Sequence, residues 1–367
     1  MSRILVVFGT RPEAIKMAPV VDALRLRRHL DVRVCVTAQH REMLDQVLTL
    51  FGIVPDFDLD LMRQRQDLAE LTSAVILGMR DVLRQCRPSL VLVHGDTTTS
   101  FAATLAAFYE GIPVGHVEAG LRTKNVYAPW PEELNRRLTA VMTTLHFAPT
   151  DGARRNLLAE GVPGDAVWVT GNTVVDALHH IRGTDAFRRI QPTVDRAGRL
   201  LLVTLHRRES WGAALEQMCR AIRCVVERHG DVRVAFPVHL NPAVRECVVR
   251  VLDGIDRVSL MPPLDYLSFL AVMDASWLVL TDSGGVQEEA PVLGKPVLVL
   301  RETTERPEAV ESGVARLVGT REQAITDAVE ELLRDPAARD RMARAVSPFG
   351  DGQASRRIAD VLTEHYA

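Results

Sequence analysis

Short apolar runs rich in β-branched residues alternate with longer helical segments along nearly the whole chain, and this alternation restricts the fold more than any other feature of the sequence. The runs are Ile4–Phe8, Val32–Val36, Leu90–Val93, Pro113–Val117, Leu145–Phe147, Leu200–Thr204, Val232–Phe236, Val258–Leu260, Trp277–Thr281 and Pro296–Leu300. Continuous apolar strands that alternate with helices are typical of parallel sheets that helices cover on both faces. The sequence therefore predicts an α/β fold with two doubly wound, Rossmann-like domains.

The length of the chain supports two domains, because 367 residues exceed the usual size of one hydrophobic core. We place the boundary near Thr170–Asp176, after the apolar run Val167–Val169. Residues 1–172 then form the first domain and residues 173–350 belong to the second. The polar segment Arg182–Arg199 is interpreted as a surface excursion at the start of the second domain.

Charge and cysteine usage argue against several classes of protein. The net charge of −3 and the pI near 6.4 are not those of a general nucleic-acid-binding protein, which usually carries a basic excess. The five cysteines form no CxxC pair, which is typical of reduced thiols. A signal-peptide pattern and a run of about 18 to 20 apolar residues are both missing. The sequence predicts a cytoplasmic protein without membrane insertion.

The first polar motif, GTRPEAIK at residues 9–16, follows a strand and opens a helix. The glycine permits a tight turn, and Arg11 and Lys16 add cationic groups near a helix N-terminus, where phosphates bind readily. The motif matches neither GxGxxG nor the Walker spacing, so it supports neither dinucleotide nor ATP binding. It is interpreted either as a diphosphate-facing element or as surface charge at the start of a helix.

Three carboxylates follow consecutive strands of the first half: Asp96, Glu118 and Glu132. A carboxylate at the carboxyl end of a strand is well placed for acid–base chemistry. Each has a structural alternative, since Asp96 is a candidate helix cap and Glu132 and Glu133 lie where acidic residues favour a helix start. Loops at one end of a parallel sheet converge, so the three together predict one acid–base site.

Two motifs of the second half also follow strands. His206 stands before Arg207 and Arg208, and it is interpreted either as a structural histidine or as a group that meets an anionic leaving group. Ser283, Gly284 and Gly285 open a helix whose N–H groups and hydroxyl are suited to phosphate oxygens. With Glu289 for ribose hydroxyls and the cation Arg306, the second half predicts a nucleotide-diphosphate site.

Ten longer runs resemble one known family, the non-hydrolysing UDP-N-acetylglucosamine 2-epimerases of bacteria. They are GTRPEAIKMAP, TAQHREMLDQVL, VLVHGDTTTSFAATLAAFY, PVGHVEAGLRT, PWPEELNR, VTGNTVVDAL, HRRES, PVHLNP, LTDSGGVQEEAPVLGKPVLVLRETTERPEAV and GDGQAS. The resemblance covers nearly the whole chain, from about Ile4 to Ser355. It implies a glycosyltransferase-B-like fold with a substrate cleft between the domains, and residues 351–367 as a helix that crosses back to the first domain.

The resemblance also implies an activity and a set of partners. UDP-N-acetylglucosamine and UDP-N-acetylmannosamine would be interconverted for cell-surface polysaccharide by a homodimer that needs no cofactor and no metal. UDP leaves carbon 1 while the carbon 2 proton is removed, and it re-adds to the enzyme-bound glycal after reprotonation from the other face. The catalytic candidates are Asp96, Glu118, Glu132 and His206.

The remaining site residues follow from the same matched motifs. The candidates for the UDP-sugar are Arg11, Lys16, Phe269 near uracil, Ser283, Gly284, Gly285, Glu289 and Arg306. The candidates for a second, activating UDP-N-acetylglucosamine are Gln39, His40, Arg65 and His239, and Glu42 stands where some members carry glutamine.

Three other functions use parts of the same pattern. A glycosyltransferase of the same fold would share the UDP site but needs an acceptor site, and a hydrolysing epimerase would release free N-acetylmannosamine. A non-catalytic UDP-sugar sensor would keep Ser283, Gly285 and Glu289 without the three carboxylates. The joint presence of both sets favours the epimerase.

Overall fold

The structure of the protein is a computed structural model that describes residues 1–38, 41–61, 66–192, 194, 197–207 and 210–366. The chain forms two compact units. The first comprises Met1–His180 with Phe349–Ala367, and the second comprises Ile181–Pro348. Each unit is built around one parallel sheet.

The first unit contains a seven-stranded sheet in the order β3-β2-β1-β4-β5-β6-β7. Its strands are β1 (Ser2–Phe8), β2 (Leu30–Val36), β3 (Phe57–Asp58), β4 (Leu90–His94), β5 (Val114–Val117), β6 (Leu145–Ala148) and β7 (Val167–Val169). Its helices are α1 (Arg11–Arg25), α2 (Arg41–Leu50), α3 (Leu68–Cys86), α4 (Thr98–Tyr109), α5 (Glu132–Met142), α6 (Asp151–Ala159) and α7 (Thr173–Gly183), with a 3₁₀ turn at Gly164–Ala166. All strand pairs are parallel.

The second unit contains a six-stranded parallel sheet in the order β10-β9-β8-β11-β12-β13. Its strands are β8 (Arg199–Thr204), β9 (Val232–Pro237), β10 (Val258–Met261), β11 (Leu278–Thr281), β12 (Val297–Val299) and β13 (Ala315–Leu317). Its helices are α8 (Asp185–Arg189), α9 (Ala213–Arg228), α10 (Pro242–Leu252), α11 (Tyr266–Ala275), α12 (Gly284–Val292), α13 (Pro307–Glu311), α14 (Glu322–Arg334) and α15 (Pro336–Arg344). The prediction of an α/β protein with two doubly wound domains is confirmed.

The central strands of both sheets are buried on their two faces, which explains why those strands are mostly apolar. Residues Ile4–Phe8 of β1 are fully inaccessible to solvent, and the central strand β8 is buried from Leu200 to Val203. The strand ends, where apolar residues give way to polar ones, are therefore the points at which side chains become available for chemistry.

The last helix, α16 (Ala354–Tyr366), belongs to the first unit and packs against α1. Asp176 of α7 caps its start, because the carboxylate accepts hydrogen bonds from the N–H groups of Ala354 (3.2 Å) and Ser355 (2.8 Å). The boundary that the sequence suggests after residue 172 lies before α7, whereas the first compact unit runs on to His180.

Among the described residues, every helix is too short or too polar to cross a lipid bilayer.

Candidate active site

Each sheet has one point where the strand order reverses, and ligands of doubly wound folds bind beyond the carboxyl ends of the strands at that point. In the first unit it lies between β1 and β4, and in the second between β8 and β11. Arg11 and Asp96 follow β1 and β4, and His206 and Ser283 follow β8 and β11. Four of the candidate residues thus flank the two expected sites.

A buried carboxylate joins the two loops at the switch point of the first unit. Glu13 accepts hydrogen bonds from the N–H groups of Gly9 (3.0 Å) and Thr10 (2.8 Å) after β1. It also accepts from the hydroxyls of Thr97 (2.6 Å) and Ser100 (3.0 Å) after β4. Burial raises the pKa of Glu13, and these four donors oppose that rise. Glu13 therefore holds the Arg11 loop against the Asp96 loop.

Asp96 is fixed by the helix α5. Its Oδ2 lies 2.6 Å from Nη2 of Arg136, and its backbone carbonyl accepts a hydrogen bond from Nδ2 of Asn135 at 2.9 Å. A quarter of the Asp96 side chain stays accessible to solvent, whereas Arg136 is buried. Asp96 is therefore an oriented carboxylate rather than a helix cap, and Thr97 takes the capping position of α4.

The two adjacent glutamates of α5 have different environments. Glu133 is fully buried, and its carboxylate accepts hydrogen bonds from the N–H of Thr123 (3.0 Å), Nη1 of Arg136 (3.1 Å) and Nε of Arg137 (3.2 Å). Glu132, the first residue of the helix, is only partly buried. Glu133 is therefore a structural anchor of α5, which leaves Glu132 as the accessible carboxylate of the pair.

Glu118 combines an unusual backbone conformation with burial. It follows β5 and has φ of +64°, a region that non-glycine residues rarely adopt and that is often found at functional sites. Its Oε2 accepts a hydrogen bond from Lys16 Nζ and another from Asn172 Nδ2 at 2.7 Å. Nε2 of His94 lies 3.8 Å from the same oxygen. Side chains from three other segments of the first unit thus converge on Glu118.

Lys16, a candidate UDP contact, is buried, and its ammonium pairs with Glu118 inside the first unit. Arg11, at the first position of α1, is half-buried.

His116 of β5 stabilises the same edge of the sheet. Its Nε2 lies 2.7 Å from the carbonyl oxygen of Gly95, the residue that precedes Asp96. Burial lowers the pKa of His116 to about 3, so the ring is neutral near pH 7. A neutral, buried imidazole on a backbone carbonyl is a structural link between the loops after β4 and β5.

In the second unit, His206 contacts Asp282. The Nδ1 atom of His206 lies 3.1 Å from Oδ1 of Asp282, which is fully buried, while 41% of the His206 side chain is exposed. The ring of His239 lies beside it, with 6.3 Å between the ring centroids. His206 is therefore an oriented and accessible imidazole.

The Ser-Gly-Gly segment begins α12. Ser283 is its N-cap, and the Ser283 side chain makes no capping hydrogen bond to the helix. A Cβ atom built on Gly284 would lie 3.0 Å from Nη1 of Arg306, whereas one built on Gly285 would meet no atom of the described residues within 4 Å. Gly284 thus lets Arg306 approach the helix, and Gly285 borders open space in which an anion can approach the backbone.

Arg306 belongs to a buried cluster of charges. Its Nε lies 2.9 Å from Glu288, and its Nη1 lies 3.0 Å from Glu305. Glu305 also contacts Arg207 at 3.2 Å and Arg301 at 2.6 Å. Burial favours the neutral form of Glu305, but the surrounding guanidinium groups outweigh it and hold its pKa well below the usual range. This cluster fixes Arg306 beside the first turn of α12.

Two further candidates lie around α11. Glu289 of α12 accepts a hydrogen bond from the hydroxyl of Tyr266 at 2.9 Å, and both side chains are buried. Phe269, one turn further along α11, is half-buried. The hydrogen bond between Tyr266 and Glu289 joins α11 to α12 within the second unit.

The candidates for an activating ligand are described only in part. Gln39, His40 and Arg65 lie outside the described residues. His239 is exposed on the loop after β9, and its Nδ1 accepts a hydrogen bond from the N–H of Asn241 at 3.1 Å.

Sequence reasoning did not single out five residues that hold the candidates in place: Glu13, Arg136, Asn172, Asp282 and Glu305. Asn172 and Asp282 follow the strands β7 and β11 and satisfy the same strand-end rule that selected Asp96. That rule could therefore have found these two. Arg136 and Glu305 carry no such signal, because their roles depend on contacts with residues distant in sequence.

Comparisons with known proteins agree with this geometry. The family model described as UDP-N-acetylglucosamine 2-epimerase matches residues 22–363. The chain is similar to a probable UDP-N-acetylglucosamine 2-epimerase of Ralstonia nicotianae, with 56% identity over 100% of both chains. It is also similar to the UDP-N-acetylglucosamine 2-epimerase of Yersinia pestis, with 54% identity over 99% of both.

One solved structure with a similar fold is the UDP-GlcNAc 2-epimerase of Neisseria meningitidis bound to UDP-GlcNAc. It is 48% identical, the match covers 99% of this chain and 100% of that one, and the TM-score is 0.94. The likeness confirms the predicted glycosyltransferase-B-like fold. A family match over most of the chain and identities above one half over full length leave one conclusion: this chain belongs to the UDP-N-acetylglucosamine 2-epimerase family.

Proposed function

We propose that the protein interconverts UDP-N-acetylglucosamine and UDP-N-acetylmannosamine without hydrolysis, by elimination and re-addition of UDP. Membership of the family supports this function, as do relatives with that name over their full length. The observation that carries it is Glu118, a buried carboxylate in a left-handed backbone conformation, bonded to Lys16 and Asn172.

The chemistry explains why carboxylates are needed. Carbon 2 of the sugar has no neighbouring carbonyl, so its proton is not acidic in the ground state. When the bond between carbon 1 and the UDP oxygen breaks, its electron pair leaves with UDP. The developing positive charge at carbon 1 makes the carbon 2 proton removable, and its loss gives a glycal.

Inversion then requires a proton to leave one face of the ring and another to arrive on the opposite face. Two acid–base groups on opposite sides satisfy this requirement. The first unit offers three carboxylates, Asp96, Glu118 and Glu132, of which Asp96 and Glu118 are held by cations. An ionised carboxylate is the form that accepts a proton.

The second unit is proposed to hold UDP. The N-terminus of α12, with open space at Gly285, is suited to the diphosphate because its N–H groups point outward and the helix dipole favours anions. Glu289 is proposed for the ribose and Phe269 for the uracil. His206, accessible beside this turn, is proposed to meet the leaving diphosphate.

The test is incubation with UDP-N-acetylglucosamine in heavy water, followed by proton NMR of the sugar. We expect UDP-N-acetylmannosamine that carries deuterium at carbon 2, with no free hexosamine. Free N-acetylmannosamine with UDP would instead indicate a hydrolysing epimerase. A sugar that neither exchanges nor changes would contradict epimerisation and leave a transferase of the same fold as the next candidate.

We also propose a homodimer, supported by an exposed apolar stripe on α5. Leu134, Leu138 and Val141 recur at intervals of four and three residues, so they share one helix face, and 43%, 38% and 85% of their surfaces are exposed. Phe108 and Tyr109 at the end of the adjacent α4 are exposed as well. Light scattering should give twice the chain mass, and Leu138→Glu should reduce that mass to one chain.

Two accompanying roles are proposed on narrower grounds. The five free thiols suit a reducing compartment such as the cytoplasm, where the product would supply cell-surface polysaccharide.

Activation by a second UDP-N-acetylglucosamine is proposed for the surface that includes His239. A sigmoidal rate curve that His239→Ala makes hyperbolic would support it, and a hyperbolic curve of the unaltered enzyme without added activator would contradict it.

A further inference from the structure

Two neighbouring strands bring His206 and Asp282 together. The parallel pair β8 and β11 aligns Thr204 with Thr281, and the hydroxyl oxygens of these threonines are 2.6 Å apart. The chain continues two residues beyond Thr204 to His206 and one residue beyond Thr281 to Asp282. The contact between them is therefore fixed by the register of the sheet rather than by a flexible loop.

The two oxygens of Asp282 share the N–H of His206, which lies 3.1 Å from Oδ1, and otherwise have different partners. Oδ2 accepts hydrogen bonds from the N–H groups of His206 (3.0 Å) and Arg207 (2.9 Å). Oδ1 faces Nδ1 of His206 at 3.1 Å. The carboxylate is fully buried, so water does not compete for these bonds. Both its position and its rotation are thus determined.

This arrangement decides which nitrogen of His206 carries hydrogen. An ionised carboxylate only accepts hydrogen bonds, so Nδ1 must be the donor. Burial alone would raise the pKa of Asp282, but the bonds from His206 and from the two N–H groups lower it below its ordinary value. With Nδ1 protonated, the other nitrogen, Nε2, is the one that can gain or lose a proton.

We propose that Asp282 is a positioning residue for epimerisation, which keeps Nδ1 of His206 protonated and directs Nε2 to the leaving diphosphate. The inference rests on the proposed function and adds a residue to it. When Nε2 also carries hydrogen, it donates a hydrogen bond to the phosphate oxygen. No proton needs to pass to Asp282.

The variant Asp282→Asn tests this role. The N–H of Arg207 bonds to Oδ2 alone and still requires an oxygen there, so the amide NH₂ must face Nδ1 of His206. An NH₂ group only donates, hence Nδ1 must give up its hydrogen and the ring becomes the neutral Nε2–H form. We expect kcat to fall by about 10²- to 10⁴-fold, with UDP affinity within a few fold of the unaltered protein.

Nitrogen NMR of the full-length protein labelled with ¹⁵N-histidine reads the tautomer directly, and His206→Asn identifies the His206 signals. We expect hydrogen on Nδ1 in the unaltered protein and on Nε2 alone in Asp282→Asn. An Nε2–H neutral ring in the unaltered protein would overturn the inference, whether or not the variant folds. The same measurement stands if the protein fails to epimerise, so the inference and the proposed function are tested separately.

A double-variant comparison separates positioning from general structural support. If Asp282 acts through His206, then Asp282→Asn has no further effect on kcat once His206 is asparagine. If Asp282→Asn lowers kcat in the His206→Asn protein as much as it does in the unaltered protein, the inference is contradicted. Asp335→Asn is the matched control, because the Asp335 carboxylate also accepts a hydrogen bond from a backbone N–H of the second unit but lies at the start of α15.

Discussion

Nδ2 of Asn172 lies 2.7 Å from Oε2 of Glu118 and donates a hydrogen bond to it, and Lys16 donates to the same oxygen. The amide comes from the loop after β7 and the ammonium from α1, whereas Glu118 follows β5. Because Glu118 is buried and its backbone is left-handed, these two donors define where its carboxylate points. Three matched motifs of the sequence therefore act as one unit.

Asn172→Ala should lower kcat by about 10- to 100-fold, because a hydrogen bond to a charged group contributes about 1.5 to 3 kcal/mol. The Michaelis constant should change little, since Asn172 is proposed to orient Glu118 and not to hold UDP. Steady-state kinetics measure both. Asn156→Ala is the control, as Asn156 donates to the carbonyl of Gly120 in the same loop. An equal loss of kcat in Asn156→Ala would indicate that Asn172 supports the loop and does not specifically orient Glu118.

Glu118→Gln should lower kcat by about 10³-fold or more, because an amide cannot accept and return the carbon 2 proton. Its affinity for UDP, measured by calorimetry, should stay within a few fold. The conservative control is Glu70→Gln, which alters a capping box of α3 that tolerates glutamine. Near-normal turnover of the Glu118 variant would remove this residue from the mechanism.

Arg136→Met should destabilise the protein by about 3 to 5 kcal/mol, because it leaves the buried carboxylate of Glu133 and the neighbouring Asp96 without their shared cation. Thermal unfolding should show a midpoint lower by about 6 °C or more. Arg137→Met removes a more exposed contact to the same Glu133, at 3.2 Å, and should have a small effect. Equal losses in the two variants would contradict this difference.

The sequence predicted well what depends on local pattern. Apolar runs locate the central strands, and the rule that chemistry lies beyond strand ends selects Asp96 and Glu118 before any contact is known. The strands β3 and β13 were missed, because they have only two and three residues and each pairs on one side only. Such short edge strands carry no periodic signal.

Pairings between distant segments were beyond reach from a single sequence. Lys16 and Glu118 are 102 positions apart, and a lysine near a helix start gives no sign of which carboxylate it meets. The choice between Glu132 and Glu133 depends on how α5 is rotated against the sheet, which packing decides. Local chemistry thus named the candidate acid–base groups, whereas tertiary structure supplied the groups that orient them.

Glu305 should make stability depend on acid pH. Burial alone would raise its pKa. The charges of Arg306, Arg207 and Arg301 together have the larger and opposite effect, so the folded-state pKa lies below the ordinary value. Its stabilising contribution is therefore complete above the unfolded pKa of about 4.3 and is lost as the pH falls toward the folded value. Glu305→Gln should lower the melting temperature at pH 7 and reduce its further drop between about pH 5 and 3. If the melting temperatures of the variant and of the unaltered protein fell in parallel between these pH values, Glu305 would not be the source of the pH dependence.

Gly284 and Gly285 offer a matched test of the phosphate site. Within the described part of the chain, the Cβ of alanine at residue 285 meets no atom within 4 Å, so Gly285→Ala should fold with an unchanged melting temperature. Its methyl group would occupy the space proposed for the diphosphate, and the dissociation constant for UDP should rise by about 10-fold or more. Alanine at residue 284 would lie 3.0 Å from Nη1 of Arg306, so Gly284→Ala should lower the melting temperature as well. Calorimetry with UDP and thermal unfolding of both variants decide the matter. Unchanged UDP binding by Gly285→Ala would place the diphosphate elsewhere.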